Sequence, residues 1–384
     1  MAQVYRANPG YTLVPLDRLP AADRAALPGT ALDDSECYGL LVPGRDSPLP
    51  TRPISPDLAL LYLSLIEPGP LPGYARSRFG PQLGWIATQL VLDGVLEIAR
   101  DGGFTSGALA AGRPDADPDD GGTGRIGELS RAALRYAQCL ADLPEPLLAG
   151  RLYSYGRTPV HPRLRERLPN RSAIADHLGL APDGQLVREL SDARWTAPAP
   201  PAEHHHWWHW HAPPPADPFA PQHTSGYKLY VSPTLAVMPD AVRAVAQVVP
   251  GLPGVSGFKV GADHVGLCRP DRLVVYLDQP TDLTACAEAL RDKLSGLPAD
   301  GVTFSTALTG DGLLSWGTDP PGAKTSWRGW VTARLARYLA AAQLADPGAA
   351  PPWRLALHRL RLSGVDTRTW TADRGLWATS PGGR

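Results

Sequence analysis

The sequence predicts an α+β protein: a mainly helical N-terminal domain with a β-hairpin, then a C-terminal mixed or antiparallel sheet with helices packed on it. Three observations carry this expectation. Apolar residues recur at helical spacing in the first half, as in Leu129, Ala132, Ala133, Tyr136, Leu140 and Leu143. Beyond residue 226, short apolar runs of strand length alternate with amphipathic segments of helix length. Between the halves, from Trp195 to Ser225, the composition shifts to Pro, Ala and His. The expected organisation is therefore a helical domain over 1–195, a candidate for peptide recognition, a Pro/His/Trp-rich linker over 196–225, an α+β domain over 226–346, and a tail over 347–384.

Residues 1 to about 50 read as a loop-rich arm. Ser55-Pro56-Asp57 then starts a helix running to about Glu67, with Ser at the N-cap and Pro at the first helical position. A second helix near Gln82 to Leu92 leads into Val95 to Ala99, a turn at Asp101-Gly102-Gly103, and Phe104 to Ser106 returning as a hairpin. Helix followed by hairpin has the outline of a winged helix. No basic recognition helix precedes the wing, so the hairpin reads as the cap of an α+β domain. Gly112 to Gly124 is Asp, Pro and Gly with almost nothing apolar, a loop. Helices resume over Glu128–Leu143, Leu147–Tyr153 and Ser172–Leu180.

In the second half, strands are expected at Tyr227–Ser232, Gly257–Val260 and Arg272–Leu277, with helices at Asp240–Val248 and Thr281–Leu294. A hairpin of Val302–Leu308 and Leu313–Trp316 turns at Gly310-Asp311-Gly312, and a helix from about Ser326 to Leu344 closes the core. Arg354 to Arg361 is basic, and Ser380 to Arg384 should fray.

Composition excludes several function classes. The net charge of −1 leaves nothing to draw the 384-residue chain to nucleic acid or a membrane surface, so anion binding must be local. The four cysteines are far apart with no CxxC pair, as expected of reduced thiols in a cytoplasmic protein. The N-terminus lacks an apolar signal-peptide core, and the longest apolar run, Leu58 to Ile66, is too short to span a bilayer. His204 to His211 holds five of the ten histidines, a pattern that binds zinc or nickel adventitiously. Only Glu203 is near enough to complete a ligand set, so no metal site is expected. Trp208 and Trp210 alternate with His209 and His211 as in a half-buried edge strand.

The chemistry gathers in the C-terminal half. Of 37 basic residues only four are lysine, Lys228, Lys259, Lys293 and Lys324, all within about a hundred residues. Where a plain cation would serve, the chain uses arginine; a lysine inside a strand points to an amine that must lose its proton, which guanidinium cannot do. Lys228 and Tyr230 lie two apart on one strand face. Lys259 follows on the next strand, Arg269 and Arg272 stand at the mouth of a third, and Tyr276 lies further along it. Two lysines and two arginines aimed at one cleft repel one another unless an anion joins them, and a phosphate monoester suits the arginine fork.

Lys228-Leu-Tyr-Val-Ser, Phe258-Lys259-Val, Leu267-Cys-Arg269-Pro-Asp-Arg272-Leu-Val-Val-Tyr276, Gly301-Val-Thr-Phe and Gly312-Leu-Leu-Ser-Trp316-Gly-Thr-Asp319-Pro-Pro321 together resemble the HopA-type effector family. The resemblance covers about residues 225 to 335, and extends more distantly to effector phosphothreonine lyases. It implies a phosphoserine/phosphothreonine lyase of class V lanthipeptide maturation, working by β-elimination without metal or cofactor. The implied partners are a phosphorylated precursor peptide and a Ser/Thr kinase of the same pathway. Carried over by position, Lys228 removes the Cα proton, Lys259 stabilises the enolate, Arg269 and Arg272 hold the phosphate, Tyr276 supports it, and Arg328 reaches it. The effector lyases carry a histidine acid two residues after the lysine, where this chain has Tyr230; His264 and His223 are the other candidate acids. A non-enzymatic phosphopeptide- or leader-binding subunit is the alternative, and a metallohydrolase built on the His-Trp cluster is a third reading.

Overall fold

The computed structural model describes residues 3–19, 37–45, 47, 49–80, 83–100, 102–110, 121–196, 206–214, 226–320, 325–342 and 351–372. The chain divides into two compact units, Met1–Asp117 with Ala340–Ser363, and Pro118–Leu339 with Gly364–Arg384. The class is α+β, with several antiparallel sheets among the helices.

In the first unit, strands β1 (Tyr5–Ala7), β2 (Tyr11–Pro15), β3 (Gly39–Pro43) and β4 (Arg52–Ile54) precede helices α1 (Pro56–Ser64), α2 (Gly73–Phe79) and α3 (Leu83–Leu92). β5 (Leu96–Arg100), β6 (Gly103–Thr105) and α4 (Gly107–Ala110) follow. The hairpin β5–β6 forms as expected, with Gly102 at φ 83° in its turn. The N-terminal arm is a correction. It supplies β1 to that hairpin and β2 and β3 to a second sheet ordered β2-β3-β4. Its strands are short and proline-bounded, and their partners lie tens of residues away, so no local alternation announces them. The basic segment of the tail is likewise a helix, Pro352–Leu362, in which Arg359 is buried and paired with Asp93 at 2.8 Å.

In the second unit, α5 (Gly124–Gln138), α6 (Glu145–Tyr153), α7 (Pro162–Arg167), α8 (Arg171–Leu178) and α9 (Gln185–Asp192) lead to a sheet. Its elements are β7 (Trp207–His211), β8 (Tyr227–Val231), α10 (Met238–Val248), β9 (Val255–Gly261), α11 (His264–Leu267), β10 (Leu273–Leu277), α12 (Pro280–Leu294), β11 (Thr306–Ala307) and β12 (Leu314–Thr318). Helix α13 (Trp327–Ala342) and the small ladder β13 (Val365–Asp366) with β14 (Thr371–Ala372) complete the order. The sheet runs β11-β12-β8-β10-β9-β7, and every described pairing is antiparallel. The expected edge strand in the His-Trp stretch is β7.

Period-two alternation divides the sheet into two faces. Leu229, Val231, Phe258, Val260, Leu273, Val275, Leu277 and Trp210 pack into the main core with side chains from α8, α9, α10 and α12. Lys228, Tyr230, Lys259, Val274, Tyr276 and His209 therefore share the opposite face. A one-residue slip of any strand would bury its site residues in that core, so the apolar set fixes the register.

The expected strand over Val302–Leu308 shortens to Thr306–Ala307. The backbone reverses through positive φ at Gly301 (84°) and Phe304 (58°). Its polar groups bond to side chains instead: Phe304 N–H donates to Ser130 Oγ at 3.0 Å, and the Thr303 carbonyl accepts from Arg328 Nε at 2.9 Å. All four cysteines are free thiols, with Cys268 and Cys286 buried. Among the described residues no helix is long and apolar enough to cross a membrane. The expected loop falls outside the described residues over 112–120, as do His204, His205, His223, Lys324 and the last residues, Ser380 to Arg384.

Candidate functional site

The free face of the central strands carries the cluster. Ladder register sets Lys228 beside Tyr276, Tyr230 beside Val274, and Val274 beside Lys259, so three strands deliver these side chains to one patch. Its floor is apolar: Tyr230, Val274 and Val302 are buried together, with Tyr276 against them. Both lysine amines lie near the Tyr276 ring, Lys228 Nζ 5.7 Å and Lys259 Nζ 5.8 Å from its centroid. The structure thus brings Lys228, Tyr230, Lys259 and Tyr276 together as the sequence predicts.

The two lysines differ in company. Lys228 Nζ donates to Asp319 Oδ2, while Asp319 Oδ1 accepts the Trp327 N–H at 3.0 Å and so caps α13. Lys259 has no hydrogen bond or carboxylate partner among the described residues; its amine lies 4.2 Å from the centre of the Trp207 ring. Burial lowers its pKa to about 8, helped by Arg269 and Lys228 and opposed by Asp271 and Asp319.

Arg269 joins the same patch, its guanidinium 5.1 Å from the rings of both Tyr153 and Trp207. Nε and Nη2 donate to the two oxygens of Asp271, each at 2.8 Å, and Nη2 also reaches Tyr153 Oη at 3.1 Å. Nη1 has no hydrogen-bond partner among the described residues. Burial pushes the Asp271 carboxyl up, but Arg328, Arg269 and Lys259 more than offset it and hold it below the usual carboxylate range. The Tyr276 and Tyr230 phenols are pushed up, in both cases mainly by burial.

Three expected site residues stand elsewhere or serve differently. Arg272 is fully buried, with its guanidinium bonded to the carbonyls of Arg269 (2.6 Å) and Pro233 (3.1 Å) and paired with Asp300 at 2.7 Å. The strand end is internal and the guanidinium is taken up by two carbonyls, Thr158 Oγ1 and Asp300, so the structure does not bring Arg272 to the patch as the phosphate ligand the sequence suggests. Arg328 is also fully buried. It donates to the carbonyls of Thr303 and Tyr153 (2.8 Å), and its Nη1 lies 3.1 Å from Asp271 Oδ2, out of line for a hydrogen bond. It anchors Asp271 rather than a ligand. His264 begins α11, and among the described residues its ring shares no hydrogen bond or ring contact with Lys228, Lys259 or Tyr276.

Sequence reasoning missed Asp271, Asp319, Tyr153 and Trp207. Asp319 and Asp271 sit inside the motifs quoted above but have no role assigned to them there. Tyr153 and Trp207 come from α6 and β7, distant in sequence, and no local pattern points to them. His209 also belongs to this face, its ring 6.4 Å from that of Tyr276 and 6.2 Å from that of His211. Both histidines line a cavity of about 250 Å³ beside Tyr276. Among the described residues no group of three or more His, Cys, Asp or Glu is placed to hold a metal ion.

Four cations, Lys228, Lys259, Arg269 and Arg328, thus face two carboxylates, Asp271 and Asp319. The patch carries a surplus of two positive charges when Lys259 is protonated, set among aromatic rings and partly shielded from water. It can hold a dianion, and its least solvated amine can exchange a proton near neutral pH.

No family model matches the sequence, and no curated protein matches it. Among solved structures, the chain is similar to an effector protein from Pseudomonas syringae pv. tomato strain DC3000, at 13% identity over 64% of this chain and 97% of that one, with a TM-score of 0.41. A second similar structure is the effector protein from Pseudomonas syringae pv. syringae strain 61, at 14% identity, covering 65% and 99%, TM-score 0.38. A third is the Chromobacterium violaceum VirA (SpvC) phosphothreonine lyase effector, at 16% identity, covering 33% and 66%, TM-score 0.27.

Proposed function

We propose that the protein is a lyase that eliminates phosphate from phosphoserine or phosphothreonine of a peptide, leaving dehydroalanine or dehydrobutyrine. The observation that carries this reading is Lys259: a mostly buried amine with no carboxylate partner among the described residues, its pKa lowered to about 8, beside an arginine with a nitrogen uncommitted among those residues. A phosphate monoester of about −1.5 to −2 charge at neutral pH matches the surplus of the patch.

The two lysines exchange the roles expected from sequence. The base must be neutral, which suits Lys259 better than Lys228 in its ion pair with Asp319. The Lys259 amine takes the Cα proton and becomes an ammonium; the C–H electron pair forms the Cα=Cβ bond, and the Cβ–O bond breaks with its pair leaving on phosphate. The Lys228 ammonium is the group for the oxyanion that develops on the peptide carbonyl. Arg269 Nη1 holds the departing phosphate. Tyr230, a phenol that stays protonated, is a hydrogen-bond donor on the same face and a weak acid.

A ribosomal precursor peptide in lanthipeptide-type maturation, phosphorylated by a separate kinase, is the substrate context we favour. The test is incubation with synthetic phosphoserine and phosphothreonine peptides, followed by release of inorganic phosphate and loss of the mass of phosphoric acid. Binding without release, unchanged in Lys259→Met, would leave only a phosphopeptide-binding subunit.

A further inference from the structure

The ladder sets a row across the site face of the sheet: Lys228 beside Tyr276, Tyr276 beside Gly257, and Gly257 beside His211. The third position carries no side chain. It leaves a space between Tyr276 and His211, whose strands stand two spacings, or about 10 Å, apart. A cavity of about 250 Å³ fills that space, lined by His209, Trp210, His211, Ser256, Gly257 and Tyr276. No side chain can close it from position 257, because a Cβ there would meet the Trp210 carbonyl oxygen of the neighbouring strand at 2.5 Å.

Register places this cavity next to the amine read above as the base. Gly257 and Lys259 are two apart on β9 and share its face, about 7 Å from each other along the strand. His209 is the ladder partner of Lys259, and its ring lies 6.4 Å from that of Tyr276. The Tyr276 ring has both lysine amines within 5.8 Å of its centroid. β7 is the outer strand of the sheet and His211 is exposed, so the space lies at an open edge. The rings of Tyr276, His209 and His211 follow one another at 6.4 and 6.2 Å, within 24° of parallel. Among the described residues no lysine, arginine or carboxylate lines the cavity. Its volume is several times the roughly 30 Å³ of a water molecule, and water held against rings is displaced favourably by an apolar group.

We propose that the cavity at Gly257 is a subsite for a bulky apolar side chain of the peptide substrate, one or two residues from the phosphorylated one. This rests on the lyase reading and adds a substrate class to it: phosphopeptides with a large uncharged residue close to the modified position. An extended peptide advances about 3.3 Å per residue, so one or two residues carry it from Lys259 to the gap. A charged side chain would lose its water there without gaining a partner.

The test uses the full chain and phosphoserine peptides of one sequence, with Phe, Leu, Ala or Glu placed in turn at each of the two positions before and after the phosphoserine. At one of these positions Phe and Leu should show a KM about tenfold below that of Ala with kcat equal, as for a contact made alike in ground and transition state, and Glu should gain nothing. His211→Ala removes an exposed wall; it should cut that advantage below about threefold and leave the Ala peptide unchanged. Equal KM values for Phe and Ala at all four positions, a Glu peptide that matches Phe, or an advantage untouched by His211→Ala would overturn the subsite. Fluorescence anisotropy of the same peptides reads binding apart from turnover: an apolar preference that His211→Ala removes, without phosphate release, sinks the lyase reading and leaves the subsite standing.

Discussion

At the scale of single residues, the site works by separating two lysines chemically. Lys259 is shielded by Trp207 and the sheet and has no carboxylate partner among the described residues, whereas Lys228 is bonded to Asp319. With a pKa of about 8, only about a tenth of Lys259 is neutral at pH 7. If it is the base, turnover should rise about tenfold per pH unit below that value and level off above it, read from kcat against pH. Lys259→Met should remove phosphate release while leaving circular dichroism unchanged. Asp271 presents the opposite case. Its carboxylate is buried between Arg269 and Arg328, and its pKa is depressed, so its stabilising contribution is full above the ordinary carboxylate range and is lost as pH falls through and below it. Asp271→Ala strands the fully buried Arg328 charge, and urea unfolding should show a loss of about 3–5 kcal/mol.

At the scale of elements, the sheet holds the site in register through its other face. Leu229→Ala, between Lys228 and Tyr230, removes a fully buried side chain from the main core and should cost about 2–5 kcal/mol in denaturant unfolding, without touching a site residue directly. Arg272 belongs to this scale as well. Its guanidinium ties the start of β10 to the carbonyls of Arg269 and Pro233. Arg272→Ala should destabilise by about 1–3 kcal/mol for each buried carbonyl left unpaired, while affinity for a phosphopeptide stays unchanged below the unfolding transition. The strands themselves were legible as short apolar runs: those expected at Tyr227–Ser232, Gly257–Val260 and Arg272–Leu277 form at Tyr227–Val231, Val255–Gly261 and Leu273–Leu277. The strand expected over Val302–Leu308 was not, because Arg328 and Ser130, remote in sequence, claim its backbone groups.

At the scale of the molecule, every residue assigned to the site, from Tyr153 to Arg328, belongs to the second unit. Disrupting the first unit's half-buried Arg359–Asp93 pair with Arg359→Ala should lower that unit's melting temperature while leaving turnover of a short phosphopeptide intact at lower temperature. The sequence by itself determined the α+β class, the strand faces and the gathering of Lys228, Tyr230, Lys259, Arg269 and Tyr276, because side-chain alternation and rare lysines are local signals. Only the tertiary structure decided that Arg272 and Arg328 are internal, that Asp271, Asp319, Tyr153 and Trp207 complete the patch, and that Lys228 rather than Lys259 has a carboxylate partner among the described residues. Those outcomes depend on which charges meet across long chain separations and on how much water each keeps, and neither is written in any short stretch of residues.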